Sequence, residues 1–307
     1  MNPIHLDPLQ TIILALLQGV TELFPISSLG HTVIIPGLLP GIFGNNSNNL
    51  VTDPNFLPLI TSLHLGTSIA LIAYFWRDWL QVIRTLINSI KRGEVKTGTE
   101  EWVTWLIIIG SLPAALIGAI LQTPLKALFG SPVIAATFLV VNGSVLFLGD
   151  RMRMKSEAEL SAMNAKEREA HFRPLSSLTW KEALVVGVAQ SLALIPGFSR
   201  SGTTMVAGLG IRMSYEDAAR YSFLLGAPII GGAALLEVPQ LFNPLPTLST
   251  IGLIILGMVI SGVAAYICTK FLMKYFETGR LIPFAIYCWI AGIVALVLLV
   301  AVLHTGA

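Results

Sequence analysis

Long uncharged apolar runs alternate along this chain with short charged segments. The runs lie near 57 to 76, 103 to 122, 133 to 149, 221 to 236, 251 to 269 and 282 to 303. Each reads as a helix long enough, or nearly so, to cross roughly 30 Å of hydrocarbon. Two further apolar stretches, 8 to 40 and 183 to 211, are interrupted in the middle by clusters of Pro, Gly and Ser. The pattern therefore predicts an all-α polytopic membrane protein with about six full transmembrane helices and two broken segments of a different kind.

Charge gives the spans a direction. Of the 19 Lys and Arg, 17 fall in four segments, 77 to 101, 150 to 182, 212 to 220 and 270 to 280, and only Lys126 and Arg200 lie elsewhere. Cytoplasmic loops are enriched in Lys and Arg, so the four segments are expected on the cytoplasmic side and Lys126 in an outside loop. Threading the spans through them makes 183 to 211 begin at Lys181 and end at Arg212, entering and returning on one side. Stretch 8 to 40 has no positive charge at either end and is expected to do the same from outside. Both read as re-entrant helical hairpins, a shape tolerated at membrane depth only where protein or a water-filled cavity surrounds it.

Composition agrees with a bilayer. The 307 residues are 54% hydrophobic and 12% charged, where a soluble domain carries about a quarter charged residues. A net charge of +2 is too balanced for a nucleic-acid binder. Cys268 and Cys288 both sit in apolar runs, which argues against a disulfide scaffold or a cysteine zinc site. The N-terminus has no basic n-region and no small-residue cleavage site, so it does not read as a removable signal peptide.

The broken segments align with each other at an offset of 172, pairing Gln18 with Gln190, Ser27 with Ser199, Gly30 with Gly202 and Thr32 with Thr204. Downstream, Leu65-Gly66 matches Leu225-Gly226 at an offset of 160, the Asn-rich loop 44 to 49 taking up the difference. The copies enter from opposite sides, which predicts an inverted repeat. The first copy is 1–149, with hairpin 8–40 and spans 57–76, 103–122 and 133–149. A cytoplasmic connector occupies 150–182. The second copy is 183–307, with hairpin 183–211 and spans 221–236, 251–269 and 282–303. Such folds place their site near the midplane, at broken helices from both halves.

The two breaks carry the polar chemistry. The first holds Gln18, Glu22, Ser27, Ser28 and His31; the second holds Gly197, Ser199, Arg200, Ser201, Gly202 and Thr204. Ionisable groups inside a membrane are costly, which makes Glu22, His31 and Arg200 the expected functional site, with a structural Glu22–Arg200 ion pair as the competing reading. Arg200 suits bidentate phosphate recognition, and the glycines let backbone N–H groups approach an anion. The second helix of each hairpin starts just after its break, so both N-termini favour negative charge there. Gln18 and Glu22, at i and i+4, share a helix face and could hold a divalent cation, one carboxylate and one amide being a minimal donor set. Together these features describe a phosphate or diphosphate pocket. Hydrolysis also needs a nucleophile and a proton acceptor: Ser28 and His31, three residues apart, are one pairing, and Ser27 is the rival nucleophile. Ser199, Ser201 and Thr204 are expected to donate to phosphoryl oxygens. His64, in the first full span, reads as a histidine satisfied within the helix bundle, with a place facing the site as the second reading.

In these motifs the sequence resembles the bacterial undecaprenyl-diphosphate phosphatase family of the bacitracin-resistance type. The pieces are QGVTELFPISSLGH at 18 to 31, PGFSRSGTT at 196 to 204, SFLLGAPIIGGA at 222 to 233 and IPFAIY at 282 to 287, in order over nearly the whole chain. The resemblance implies hydrolysis of a C55 isoprenoid diphosphate to the monophosphate carrier and inorganic phosphate, which recycles the carrier for peptidoglycan and other cell-wall polymers and confers bacitracin resistance. It implies Ser28 as nucleophile, Glu22 and His31 as acid/base and positioning partners, Arg200 as the diphosphate clamp, and Ser27, Gly197, Ser199, Ser201, Gly202 and Thr204 around the phosphate. It also implies Mg²⁺ or Ca²⁺, with Glu22 and, less directly, Gln18 as ligands, and a site in the bacterial plasma (inner) membrane opening to the periplasmic face. The expected partners are the polyprenyl diphosphate lipid and the bilayer, not nucleic acid, with a homodimer left open. A competing function of another class, a lipid-phosphate transporter or flippase, uses the same midplane anion site.

Overall fold

A computed structural model describes residues 7–43, 56–121, 128, 130–161, 172–242 and 245–305. Among the described residues the chain is helical, with no strand. We number the helices α1 (Pro8–Thr21), α2 (Ser28–Leu38), α3 (Phe56–Tyr74), α4 (Trp76–Arg92), α5 (Glu100–Ile120), α6 (Pro132–Ser161), α7 (Trp180–Ser191), α8 (Arg200–Gly210), α9 (Tyr215–Glu237), α10 (Leu248–Tyr275) and α11 (Ile282–Thr305). The expectations for Lys126 and for the loop 44 to 49 lie outside the described residues.

Five segments are long and apolar enough to cross a membrane: 100–120 (α5), 132–153 in α6, 215–242 (α9 and the 3-10 turn after it), 248–275 (α10) and 282–301 in α11. The sixth expected span, 57–76, is α3. Its apolar run ends at Tyr74, and the chain then turns through 83° into α4. At 14 and 11 residues, α1 and α2 rise only about 21 and 17 Å, too short to cross, as are α7 and α8. Both interrupted stretches are thus pairs of short helices around a break, α1 and α2 being apolar throughout. Large side chains such as Leu116, Ile120, Val259, Val263, Ile293 and Val297 point outward, as expected where the surrounding solvent is lipid.

Several helices outrun the apolar runs that predict them. α6 continues past residue 149 for three more turns to Ser161, so the boundary drawn at 149/150 falls inside a helix. Asp150 is buried there, accepting hydrogen bonds from Tyr215 OH and Leu281 N, both at 2.8 Å. α9 starts at Tyr215, where Ser214 caps the N–H of Asp217. α10 carries Lys270 and Lys274 in its last two turns. A charged helical turn in water has no hydrophobic signature, which is why these ends are invisible to an apolar-run reading.

Packing interleaves the two parts of the chain. α1 lies along α10, α7 along α5, α3 against α9 and α10, and α6 along α11, while α2 and α8 both rest on α6. Small residues permit these approaches: a Cβ on Gly19 of α1 would meet Ala264 Cβ of α10 at 2.8 Å. This cage of long helices surrounds the two breaks, which face each other at its centre.

Candidate active site

Each break ends in a serine that starts the next helix. Ser27 Oγ accepts from Gly30 N at 3.1 Å, and Ser199 Oγ accepts from Gly202 N at 3.1 Å. The next turns also match, Thr32 Oγ1 donating to Ser28 O at 3.1 Å and Thr204 Oγ1 to Arg200 O at 2.7 Å. Ser27 holds φ 71°, a strained value for a residue with a side chain, and strain of this kind gathers at functional sites. α6 ties the breaks together through Asn142, whose Nδ2 donates to Pro25 O at 3.0 Å and whose Oδ1 accepts from Ser199 N at 3.0 Å.

Where the breaks meet, Glu22 and Arg200 form a buried ion pair, Nε and Nη2 lying 3.3 and 3.4 Å from Glu22 Oε1. The third guanidinium nitrogen, Nη1, donates to Ser222 O at 2.9 Å, and the plane lies against the bare Cα of Gly226. The other carboxylate oxygen, Glu22 Oε2, accepts a hydrogen bond from Ser28 Oγ and a 3.1 Å bond from Gln18 Nε2. It also stands 3.4 Å from His64 Nε2. His64 Nδ1 lies 2.8 Å from Ile60 O and, facing a carbonyl, must carry the proton, so Nε2 is the nitrogen free to exchange one.

A cavity of about 130 Å³ opens over this cluster. Its polar lining is Glu22, Ser28, His64, Gln190, Ser199 and Arg200, and its apolar wall includes Phe198, Ile229, Ile230 and Ala233. The first N–H groups of α2 and α8 lie at its edge and have no partner within their own helices. The cavity therefore offers an activated hydroxyl, a permanent cation, two helix N-termini and an apolar wall, a set suited to a phosphate ester on an apolar chain.

Several expectations change in detail. The Glu22–Arg200 ion pair exists, and it sits on the cavity lining with Ser28 rather than away from it. Ser28 and His31 do not pair: Ser28 turns to Glu22, while His31 Nδ1 lies 2.6 Å from Ser27 O and Nε2 2.8 Å from Tyr287 OH, both ring nitrogens being engaged in holding the loop. Ser201 and Thr204 are buried and point away from the cavity, Ser201 Oγ donating to Phe24 O at 3.2 Å and Thr204 Oγ1 lying 2.6 Å from the Ser222 hydroxyl. Gly202 serves the Ser199 cap, and Gly197, at φ 103°, gives room to the α6 backbone, where its Cβ would meet Leu139 N at 2.8 Å. Ser27 caps α2 and does not line the cavity.

His64 is corrected in the other direction. It joins the site, because the α3 turn that carries it faces the first break. Gln190, Asn142, Ser222 and Gly226 also serve the site. Gln190 carries a sequence signal in its alignment with Gln18, and Asn142 carries one as a lone amide in an uncharged run. Gln18 lies behind Glu22 and turns its nitrogen to the carboxylate, leaving Oε1 buried without a partner. Among the described residues no group of three His, Cys, Asp or Glu could hold a metal. Both Glu22 oxygens are engaged, Oε1 by Arg200 and Oε2 by Ser28 and Gln18, and Gln18, whose Oε1 alone has no partner, lies off the cavity lining, so the expected Glu22–Gln18 pair does not fit a divalent cation as the side chains stand.

The chain matches the family described as bacitracin resistance protein BacA over residues 11–294. It is 40% identical to the undecaprenyl-diphosphatase of Mycolicibacterium paratuberculosis over 299 residues, covering 95% of this chain and 97% of that one. It is 40% identical to the undecaprenyl-diphosphatase of Acidiphilium cryptum over 298 residues, 96% and 99% of the two chains. With undecaprenyl-diphosphatase 2 of Burkholderia thailandensis it shares 43% over 286 residues, 93% and 94%.

Proposed function

Because the chain belongs to the bacitracin resistance protein BacA family, we infer that it is a multi-pass membrane phosphatase that hydrolyses undecaprenyl diphosphate to undecaprenyl phosphate and inorganic phosphate. The observation that carries the reading onto this chain's residues is the hydrogen bond from Ser28 Oγ to Glu22 in a cavity that also presents Arg200. A transporter needs the anion site but not a hydroxyl already bonded to a carboxylate, and the relatives named above are diphosphatases. Recycling of the lipid carrier for cell-wall polymers, and bacitracin resistance, follow from the same reading.

In the mechanism we infer, Ser28 Oγ attacks the terminal phosphorus as its proton passes to Glu22 Oε2. The bond from phosphorus to the bridging oxygen breaks, and the lipid monophosphate leaves with the electron pair. His64 Nε2, beside the same carboxylate oxygen, takes that proton from Glu22 and passes it to the departing bridging oxygen. Water then hydrolyses the phosphoserine, releasing inorganic phosphate and restoring the Ser28 hydroxyl. Arg200 and the N-termini of α2 and α8 stabilise charge on the phosphoryl oxygens throughout. His31 takes a positioning role, fixing Ser27 and hence the start of α2.

The paired serine caps and the reciprocal packing of α1 on α10 and α7 on α5 support reading the chain as an inverted repeat. With the basic segments inside, the cavity opens to the outer face of the bacterial plasma membrane. Phosphate release from the lipid diphosphate in detergent, where no gradient exists, tests the function. An enzyme turns over there; a carrier that only moves the lipid releases nothing.

A further inference from the structure

The bend after Tyr74 leaves α4 as a helix that no apolar-run reading anticipates. Its sides divide three ways. One packs inward, with Trp79 and Val82 against the core, Thr85 Oγ1 2.7 Å from Thr104 Oγ1 and Ser89 Oγ accepting from Trp105 Nε1 at 3.2 Å. A second side is an unbroken outward stripe of Trp76, Leu80, Ile83, Ile87 and Ile90, from 42% to 65% exposed. The spacing of four, three, four and three keeps all five within about 40° of one line on the helix surface.

The third side is basic. Arg77, Arg84 and Lys91 repeat every seven residues, which places them on one line roughly 80° round from the apolar stripe. All three are exposed, and none is paired with a carboxylate among the described residues. Of the nearby acids, Asp78 pairs with Arg220 and Glu101 with Arg92, exposed Glu94 and Glu100 form no ion pair with the three cations, and Arg77 lies over the Trp76 ring, 5.3 Å away. An apolar stripe flanked by a line of cations, on a helix turned 83° at the end of a membrane span, is the arrangement of a helix lying in the bilayer interface. Water would leave the stripe exposed, and hydrocarbon would bury the charges. At the interface each side meets its own medium.

We propose that α4 lies in the membrane interface and that Arg77, Arg84 and Lys91 bind the headgroups of anionic phospholipids. The occupant follows from charge: three unpaired cations at headgroup depth attract phosphate-bearing anionic lipid and distinguish it little by chain. The proposal is independent of the reaction at Ser28.

The test uses the full chain in phosphatidylcholine bilayers with spin-labelled phosphatidylglycerol, comparing its retention at the protein surface with that of spin-labelled phosphatidylcholine. The wild-type protein should retain the anionic label severalfold more strongly, each cation contributing up to about fivefold in local association. The preference should fall steeply in 1 M salt, where the Debye length is about 3 Å. Arg77→Gln, Arg84→Gln and Lys91→Gln combined should bring it close to one, and Arg84→Gln alone should remove about a third of it on a logarithmic scale. Lys270→Gln with Lys274→Gln, on α10, should leave it in place. Equal retention of both lipids by the wild type, an undiminished preference in the triple variant, or an equal loss in the α10 control would each overturn the proposal. So would loss of a dimer in the triple variant without change in lipid retention, which would make the stripe a contact between copies.

Discussion

Gly226 gives the sharpest test of how Arg200 is held. A Cβ at 226 would lie 2.5 Å from Arg200 Cζ and 2.7 Å from Nη2, where ordinary contact begins at 3.4 Å. The guanidinium would therefore have to retreat by about 0.9 Å, and its bonds to Ser222 O and Glu22 Oε1 leave it no free direction. A misplacement near 1 Å at a reacting centre costs on the order of 10²-fold in rate, about 2.7 kcal/mol of transition-state stabilisation. Gly226→Ala should lower kcat/KM for phosphate release from the lipid diphosphate by about that factor, with the protein still folded in detergent. The same helix supplies the control: nothing lies within 4 Å of a Cβ at Gly232. Gly232→Ala should keep full activity and gain about 0.5–1 kcal/mol of stability from the helix interior alone. Wild-type turnover in Gly226→Ala, or an equal loss in Gly232→Ala, would refute the argument that bare Cα space positions the guanidinium.

Three further outcomes follow from the same geometry. His64→Gln keeps a polar group beside Glu22 but cannot exchange a proton, so kcat should drop about 10²-fold with KM little changed; an unchanged kcat would return His64 to a bundle role. Asn142→Leu strips partners from Pro25 O and Ser199 N, each costing about 1–3 kcal/mol, and should lower Tm in detergent markedly more than Ser144→Ala on the same helix. Arg200→Lys keeps the charge but loses the fork shared between Glu22 and Ser222, and should lower phosphate release by at least tenfold; near-normal release would remove Arg200 as the clamp.

The spans and breaks were legible because hydrophobic length and the Pro-Gly-Ser interruptions are local signals. Arg200 and Glu22 were legible because a charge inside an apolar stretch needs a partner, and each is the other's. What escaped is what depends on tertiary contact. His64 stands 42 positions beyond Glu22, and only the packing of α3 beside the first break brings Nε2 to the carboxylate. The helical turn that a Ser28–His31 pairing needs is present as the start of α2, but Glu22 takes the Ser28 hydroxyl, and Ser27 O and the Tyr287 hydroxyl on α11 take the two His31 nitrogens. Ser201 and Thr204 carry the hydroxyls a phosphate site needs, but on α8 they face Phe24 O and Ser222, so their chemistry is spent on joining the breaks. α4 was hidden because its apolar and basic residues alternate in sequence and separate only when wound at 3.6 residues per turn.

The central claim is that Ser28 takes the phosphoryl group from the lipid. Purified protein mixed with lipid diphosphate labelled in its terminal phosphate, quenched in acid within one turnover and mapped by peptide, tests this directly. Label should appear on Ser28 and be absent from Ser28→Ala, which should also release no phosphate, while Ser27→Ala should lose only part of its rate with the Gly30 cap, worth about 1 kcal/mol. Label on Ser27 or His31, or continued turnover in Ser28→Ala, would contradict it.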